Sequence, residues 1–236
     1  ETLTSNNALI PIAYYFFINE LPDNFISSGK TKENRDKIKK WLMRSLLKKV
    51  FSGQPDNVLR HIREILKING ANDFPIEKII DKFKGTNKSI QFTEEDIDEF
   101  LLNLKYGKSD TVTTLMLLYS SLDFNNKFHV DHMYPKSKFT KTYLRKHGVQ
   151  ENELNWYLEN VNNICNLQLL AAQLNEEKLA TDFDEWFTSQ YKTDNERYQY
   201  RNINYLPDID YTYENYPLFL EKRRELLKSQ LNKILA

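Results

Sequence analysis

Val130-Asp131-His132-Met133-Tyr134-Pro135 sets an acid and a histidine together, and two later pieces answer it: Asn166-Leu167-Gln168-Leu169-Leu170 and Asn175-Glu176-Glu177-Lys178. In that order the three pieces have the layout of a one-metal nuclease site. An acid and a histidine end one strand, a second strand follows a long loop, and an asparagine returns from a helix. The gap from His132 to Asn166 suits a hairpin with an inserted connection, and the gap from Asn166 to Asn175 suits a short helix. Taken singly, each piece has a blander reading. Asp131-His132 reads as a surface acid beside a half-buried histidine, Asn175 as a helix cap and Asn166 as a turn residue. Co-occurrence in order is what favours the site.

The chemistry explains the residue types. Phosphodiester hydrolysis places water on phosphorus while an alkoxide leaves, and negative charge develops at both ends. A neutral imidazole takes a proton from water near pH 7, which suits His132 as general base. Asp131 and Asn175 would supply a carboxylate and an amide oxygen to one divalent ion, Mg²⁺, Mn²⁺ or another, leaving positions open for substrate oxygens. The amide coordinates without adding charge that repels phosphate. Lys178 lies three residues after Asn175, on the same helix face, where its ammonium is expected to meet the substrate phosphate.

Val130-Asp131-His132-x-x-Pro135, Asn166-Leu167-x-Leu169-Leu170 and Asn175-x-x-Lys178 together resemble the HNH (ββα-metal) nuclease motif. The resemblance implies that Asp131 and Asn175 bind the metal, that His132 is the general base, and that Asn166 stiffens the loop positioning it. Beyond the motif, Asn6-Ala8-Leu9-Ile10-Pro11, the run from Trp41 to Gly53, Asp184-Glu185-Trp186 and Phe219-Leu220-x-x-Arg223-Arg224 are similar to the C-terminal half of GmrSD-type restriction proteins. That likeness implies restriction of foreign or modified phage DNA. With the chain starting at Glu1 rather than Met, it also implies a fragment whose upstream ParB-like nucleotidase domain is a further partner. One departure is Cys165, where the subtype often carries glycine.

The 236 residues are 40% hydrophobic and 28% charged with no net charge, so contact with DNA must come from local patches rather than a basic surface. Scarce Gly and Pro, 6 and 7, argue for long helices. No apolar run suits a membrane span, and one cysteine excludes an internal disulfide and fits a reducing, cytoplasmic setting. Nine bases between Lys30 and Lys49 (Lys30, Lys32, Arg35, Lys37, Lys39, Lys40, Arg44, Lys48, Lys49) face only Glu33 and Asp36, leaving open a DNA-backbone stripe or a solvated helix face. Lys136, Lys138, Lys141, Arg145 and Lys146 follow the presumed base with no acid among them, which makes them the expected phosphate track. His129, two residues before Asp131, reads as half-buried packing, and the fourteen tyrosines read first as aromatic core.

The expected fold is therefore mainly α with a small embedded ββα-metal (HNH) unit, α+β in class. The expected parts are a helical region at 1–124, the nuclease core with its inserted loop at 125–190, and a C-terminal connector and helix at 191–236. Helices are expected at 8–20, 30–51, 55–67, 75–83, 94–104, 111–122, 171–180 and 217–235, and strands at 128–131 and 164–170. Residues 198–213 show no period. The rival expectations are a non-catalytic helical interaction module with a residual HNH shell, and an RNase.

Overall fold

A computed structural model describes residues 5–235, and by packing the chain divides into two units. The first holds the described residues up to Glu94 together with Ile234 and Leu235, and the second runs from Glu95 to Lys233. The division thus falls at 94 rather than at 124. The two helices just before the first strand pack with the ββα element, as do residues 191–233, so the three expected parts are not the packing units.

The first unit is built from α1 (Ile10–Ile18), α2 (Lys32–Leu47), α3 (Pro55–Asn69) and α4 (Ile76–Phe83). Pro in the first turn of α1 and of α3 costs no hydrogen bond there and presets the helical φ. Apolar residues at helical spacing, Val58, Ile62 and Leu66 on α3 and Ile76, Ile79, Ile80 and Phe83 on α4, face a core centred on Trp41, Tyr15 and Phe74. Phe74 meets Tyr15 edge-on at 5.4 Å and Trp41 at 5.3 Å. One polar side chain is buried among them. The Asn34 amide donates to the Tyr15 hydroxyl (2.8 Å) and accepts from the Phe74 backbone N–H (2.9 Å), so its burial leaves nothing unpaired.

The second unit begins with α5 (Glu94–Asn103) and α6 (Ser109–Leu118) and continues into β1 (Phe128–His132). The connection after β1 is not a bare loop. It carries α7 (Lys141–Lys146) and α8 (Leu154–Asn160), then a 3₁₀ turn at Ile164–Asn166 that delivers β2 (Leu167–Ala171). Chain direction reverses, and the strands pair antiparallel with Asp131 opposite Gln168 and His132 opposite Leu167. Helix α9 (Ala172–Lys178) follows at once and packs against both strands. The mainly helical class with a two-stranded sheet is as expected from the sequence.

The unit is completed by α10 (Phe183–Gln190), α11 (Asp194–Asn204) and α12 (Tyr216–Leu235). Helix α11 lies partly in the stretch that shows no hydrophobic period. Its start is set instead by a capping box, in which Thr193 Oγ1 accepts from the Glu196 N–H (3.2 Å) and the Glu196 carboxylate accepts from the Thr193 N–H (2.9 Å). Its end is Tyr205, in the left-handed region at φ 54°.

The core of this unit is aromatic. Tyr134, with no exposed surface, is ringed by Phe183, Tyr213, Tyr216 and Phe219 at 5.0–5.7 Å. Most tyrosines of residues 190–216 are thus packed rather than presented to solvent. Arg223 of α12 is also fully buried, and carbonyls satisfy its guanidinium: it donates to Cys165 O (2.8 Å) and Asn204 O (3.2 Å). It fastens the last helix to the turn that leads into β2. Cys165 itself adopts an ordinary negative φ, so the position does not require glycine, and burial pushes its thiol pKa up to about 11.

Tyr134→Ala is expected to destabilise the protein by about 3–5 kcal/mol, the usual cost of deleting a fully buried aromatic ring. Urea denaturation followed by circular dichroism measures this; a loss under about 1 kcal/mol would show that the ring cluster does not hold the unit together.

Candidate active site

Side chains alternate across a strand, so Asp131 and His132 project to opposite faces of β1. Asp131 faces α9. Its Oδ2 accepts from Lys178 Nζ (2.7 Å) and, across the sheet, from Gln168 Nε2 (2.9 Å). The Lys178 ammonium also donates to the His132 backbone carbonyl and lies 5.7 Å from the centre of the Trp186 ring. Tyr200 donates its hydroxyl to Gln168 Oε1, so Gln168 is gripped at both ends of its amide. Burial lowers the Lys178 pKa from its ordinary value while the neighbouring carboxylate pulls it back up.

The structure places Lys178 in the interior, away from the surface at which it is expected to meet phosphate. Its side chain is 1% exposed, against 11% for Asp131, so its charge serves the interior rather than a phosphate at the surface. The reason is energetic: an ammonium taken out of water must be paired and hydrogen-bonded, and Asp131 with the strand carbonyl does this.

His132 is held from the other side. Its Nε2 lies 3.0 Å from Asn162 Oδ1, and the Tyr106 ring leans over the imidazole at 4.6 Å and 41°. With the amide oxygen as acceptor, Nε2 carries the proton and Nδ1 keeps its lone pair. Tyr106 and Asn162 are themselves coupled, because the Tyr106 N–H donates to the Asn162 carbonyl (2.8 Å) beside the bridge pairing Lys105 with Asn163. Burial lowers the His132 pKa from its ordinary value. The Asn162 bond and the Asp131 charge oppose that shift, and the charges of Lys136 and Lys178 add to it. The burial thus favours the neutral form of the ring.

Asn166 is completely buried and commits its amide to the backbone. It accepts from the Tyr134 N–H (2.9 Å) and donates to Tyr134 O (3.1 Å) and Val161 O (2.9 Å), while its own carbonyl accepts from the Met133 N–H (2.8 Å). The chain on either side of the insertion is therefore clamped directly after His132.

Asn175 is half-buried on α9, and its side chain makes no hydrogen bond among the described residues. It lies three residues before Lys178, so the helix face that touches Asp131 also carries Asn175. Asp131 Oδ1 likewise has no partner among the described residues. Both oxygens are thus uncommitted, and a carboxylate and an amide oxygen are the kinds of ligand that a hard divalent ion takes together with water and substrate. No cluster of three or more His, Cys, Asp or Glu side chains suited to a metal occurs among the described residues.

The expected phosphate track divides. Arg145 is engaged in a bidentate pair with Glu151 (2.6 and 2.7 Å), and Lys138 lies 3.9 Å from Asp182 and over the Tyr143 ring. Lys136, Lys141 and Lys146 are exposed and make no ion pair among the described residues. Helix α2 is depleted in the same way. Arg35 bonds the carbonyls of Phe25 and Ser28, Lys37 pairs with Asp73, and Arg44 bonds Leu235 O. His129 is exposed rather than half-buried.

Sequence alone does not single out Asn162, Tyr106, Gln168 or Tyr200. Only Asn162 leaves a trace there, in the asparagine-rich run Asn160-Val161-Asn162-Asn163 just before the second strand. Compared with models of known protein families and with curated proteins, the chain matches none. Among the described residues no helix is long and apolar enough to cross a membrane.

Removing Lys178 alone should strand a mostly buried carboxylate. Lys178→Met is expected to cost about 3–5 kcal/mol, and adding Asp131→Asn should restore most of it. A double-mutant cycle by denaturant unfolding checks this; additive losses would mean that the two side chains are not coupled.

Proposed function

We propose that the chain is a metal-dependent endonuclease of the HNH type that hydrolyses phosphodiester bonds in DNA. One observation carries the reading most directly. The three separated sequence pieces pack as one β1–β2–α9 unit, in which Lys178 of α9 bonds Asp131 and the His132 carbonyl and Asn166 bonds the backbone just after His132.

In this reading Asp131 Oδ1 and Asn175 hold one divalent ion, Mg²⁺ or Mn²⁺. When bound, the ion supplies positive charge to a phosphate oxygen and to the departing alkoxide. His132 removes the proton from the attacking water at Nδ1 while Asn162 fixes the ring through Nε2. Tyr106 shields one face of the ring from solvent, and Asn166 keeps the following turn from drifting. Lys178 balances charge on Asp131 and ties that strand to α9. Exposed Lys136, whose charge already acts on His132, is the cation best suited to meet substrate phosphate. The likeness to GmrSD-type proteins extends the proposal to restriction of foreign or modified phage DNA, with an upstream ParB-like nucleotidase domain as partner in a reducing, cytoplasmic setting.

A second reading has one observation in its favour. Asp131 already has a cation on it, which suits a non-catalytic helical module retaining the shell of such a site. Metal-dependent nicking of plasmid separates the two, and parallel digestion of RNA separates a DNase from an RNase. His132→Ala is expected to lower cleavage by about 10²–10⁴-fold while leaving the unfolding midpoint near that of the wild type. Undiminished nicking by a nuclease-free preparation of the variant rejects His132 as the base.

The exposed lysines define the path expected for the polyanion. Neutralising Lys136, Lys141 and Lys146 should reduce the slope of log affinity against log salt by about 0.9 for each phosphate that then goes unneutralised. Arg145→Gln should leave it nearly unchanged, because that guanidinium is already paired. A slope that responds to Arg145 but not to the three lysines overturns this path.

A further inference from the structure

The second unit contains a cavity of about 310 Å³ that the proposed reaction does not use. It lies between α8 and α12 and is lined by Trp156, Asn160, Asn163, Leu220, Glu221 and Arg224, among others. Its walls combine three kinds of group that together suit one class of ligand.

The first is a planar platform. Trp156 is 41% exposed, whereas Trp41 and Trp186 are buried, and its indole is held by edge contacts with Tyr157 (5.6 Å) and Tyr216 (6.3 Å). The second is a charge: the Arg224 guanidinium makes no hydrogen bond or ion pair among the described residues, in a unit where Arg145, Arg201 and Arg223 are all engaged. The third is a polar edge. The Asn160 amide donates to Trp156 O (2.9 Å), which locks its orientation and leaves its Oδ1 free to accept, and the Glu221 carboxylate makes no hydrogen bond or ion pair among the described residues.

We infer that this cavity binds a nucleobase with its attached phosphate. The base would stack on Trp156, present ring and exocyclic N–H groups to Asn160 Oδ1 and Glu221, and set its phosphate on Arg224. Stacking on an indole is available to any base, since each has a π face, and a guanidinium fork matches phosphate oxygens in a bidentate manner. An aromatic amino-acid side chain would satisfy Trp156 but would offer nothing to Arg224 or to the free acceptors. Asn160 and Asn163 flank Asn162 in sequence, so the cavity shares its wall with the segment that orients His132. Occupation of the cavity does not depend on cleavage, because it is binding alone.

The test is tryptophan fluorescence of the whole chain without divalent metal, titrated with adenosine, adenosine monophosphate and a short single-stranded oligonucleotide. Saturable quenching by the monophosphate is expected, and it should vanish in Trp156→Phe, which leaves only the buried tryptophans. Arg224→Gln should weaken the monophosphate by about tenfold or more and leave the nucleoside unchanged, because the charged bidentate contact to phosphate is lost while the stacking is kept. Quenching by the oligonucleotide at lower concentration than by the monophosphate assigns the base to a nucleic-acid strand, and the reverse order assigns it to a free nucleotide. No saturable quenching by any of the three probes, or quenching indifferent to Arg224→Gln, overturns the assignment. Failure here leaves the nuclease reading standing, and absence of plasmid nicking leaves this binding intact.

Discussion

An ammonium with no access to water is the constraint around which the ββα unit is arranged. Lys178 ends a helix of seven residues, too short to be stable by itself, and its charge has to find a partner inside the fold. Asp131 and the His132 carbonyl satisfy it together, which brings the last turn of α9 against the end of β1. The same contact settles the rotation of the helix and so directs the Asn175 face. The backbone turns sharply immediately afterwards. Leu179 adopts φ 49°, a conformation that L-residues rarely take, while its side chain stays exposed. Strain of that kind persists where neighbouring contacts over-determine the position, and the residue just before it is a fully buried cation bonded to Asp131 and the His132 carbonyl.

Asparagine does for the loops what the ion pair does for the helix. A connection from 133 to 163 leaves many backbone groups without ladder partners, and each buried one has to be met. Asn166 meets three with one side chain, Asn163 accepts from the Cys165 N–H, and Asn162 turns toward His132 instead. Two neighbouring amides therefore divide the work, one holding backbone and one holding the imidazole. The aromatic cluster around Tyr134 supplies the apolar burial that offsets the cost of ordering such a polar loop.

The existence of the two strands, the return of the helix and the all-helical first unit are readable in the sequence, because hydrophobic periodicity and Pro–Gly punctuation are local signals. Helix α11 is not, since its start rests on the Thr193–Glu196 box rather than on a stripe, and neither are the two helices inside the insertion. The second strand starts at Leu167 rather than 164, because Ile164–Asn166 forms a 3₁₀ turn. The domain limits differ for a related reason. Helices α5 and α6 have ordinary amphipathic patterns, and nothing local says which unit receives their apolar faces. The lysines are least legible of all. Lys178 and Lys136 are equivalent in sequence as basic residues near a motif, yet one is sealed against a carboxylate and the other stands in solvent. Only the three-dimensional position of the acids Asp131, Glu151 and Asp182 distinguishes engaged cations from available ones.

That distinction bears on how a chain of zero net charge would handle a polyanion under the proposed reading. Asp131 carries one negative charge, and Lys178 already claims one of its oxygens. A divalent ion on the other oxygen would meet a carboxylate whose field is largely cancelled a few ångströms away, so the protein alone would hold it weakly. Phosphate is the missing anion. Arriving along Lys136, it would bring the charge that both the ion and the buried ammonium lack. By linkage, phosphate would strengthen binding of the ion as much as the ion strengthens binding of phosphate. Under the proposed reading, a site wired in this way would stay electrostatically quiet until nucleic acid is present. The buried lysine would then act as a brake on metal binding rather than as a contact to the substrate.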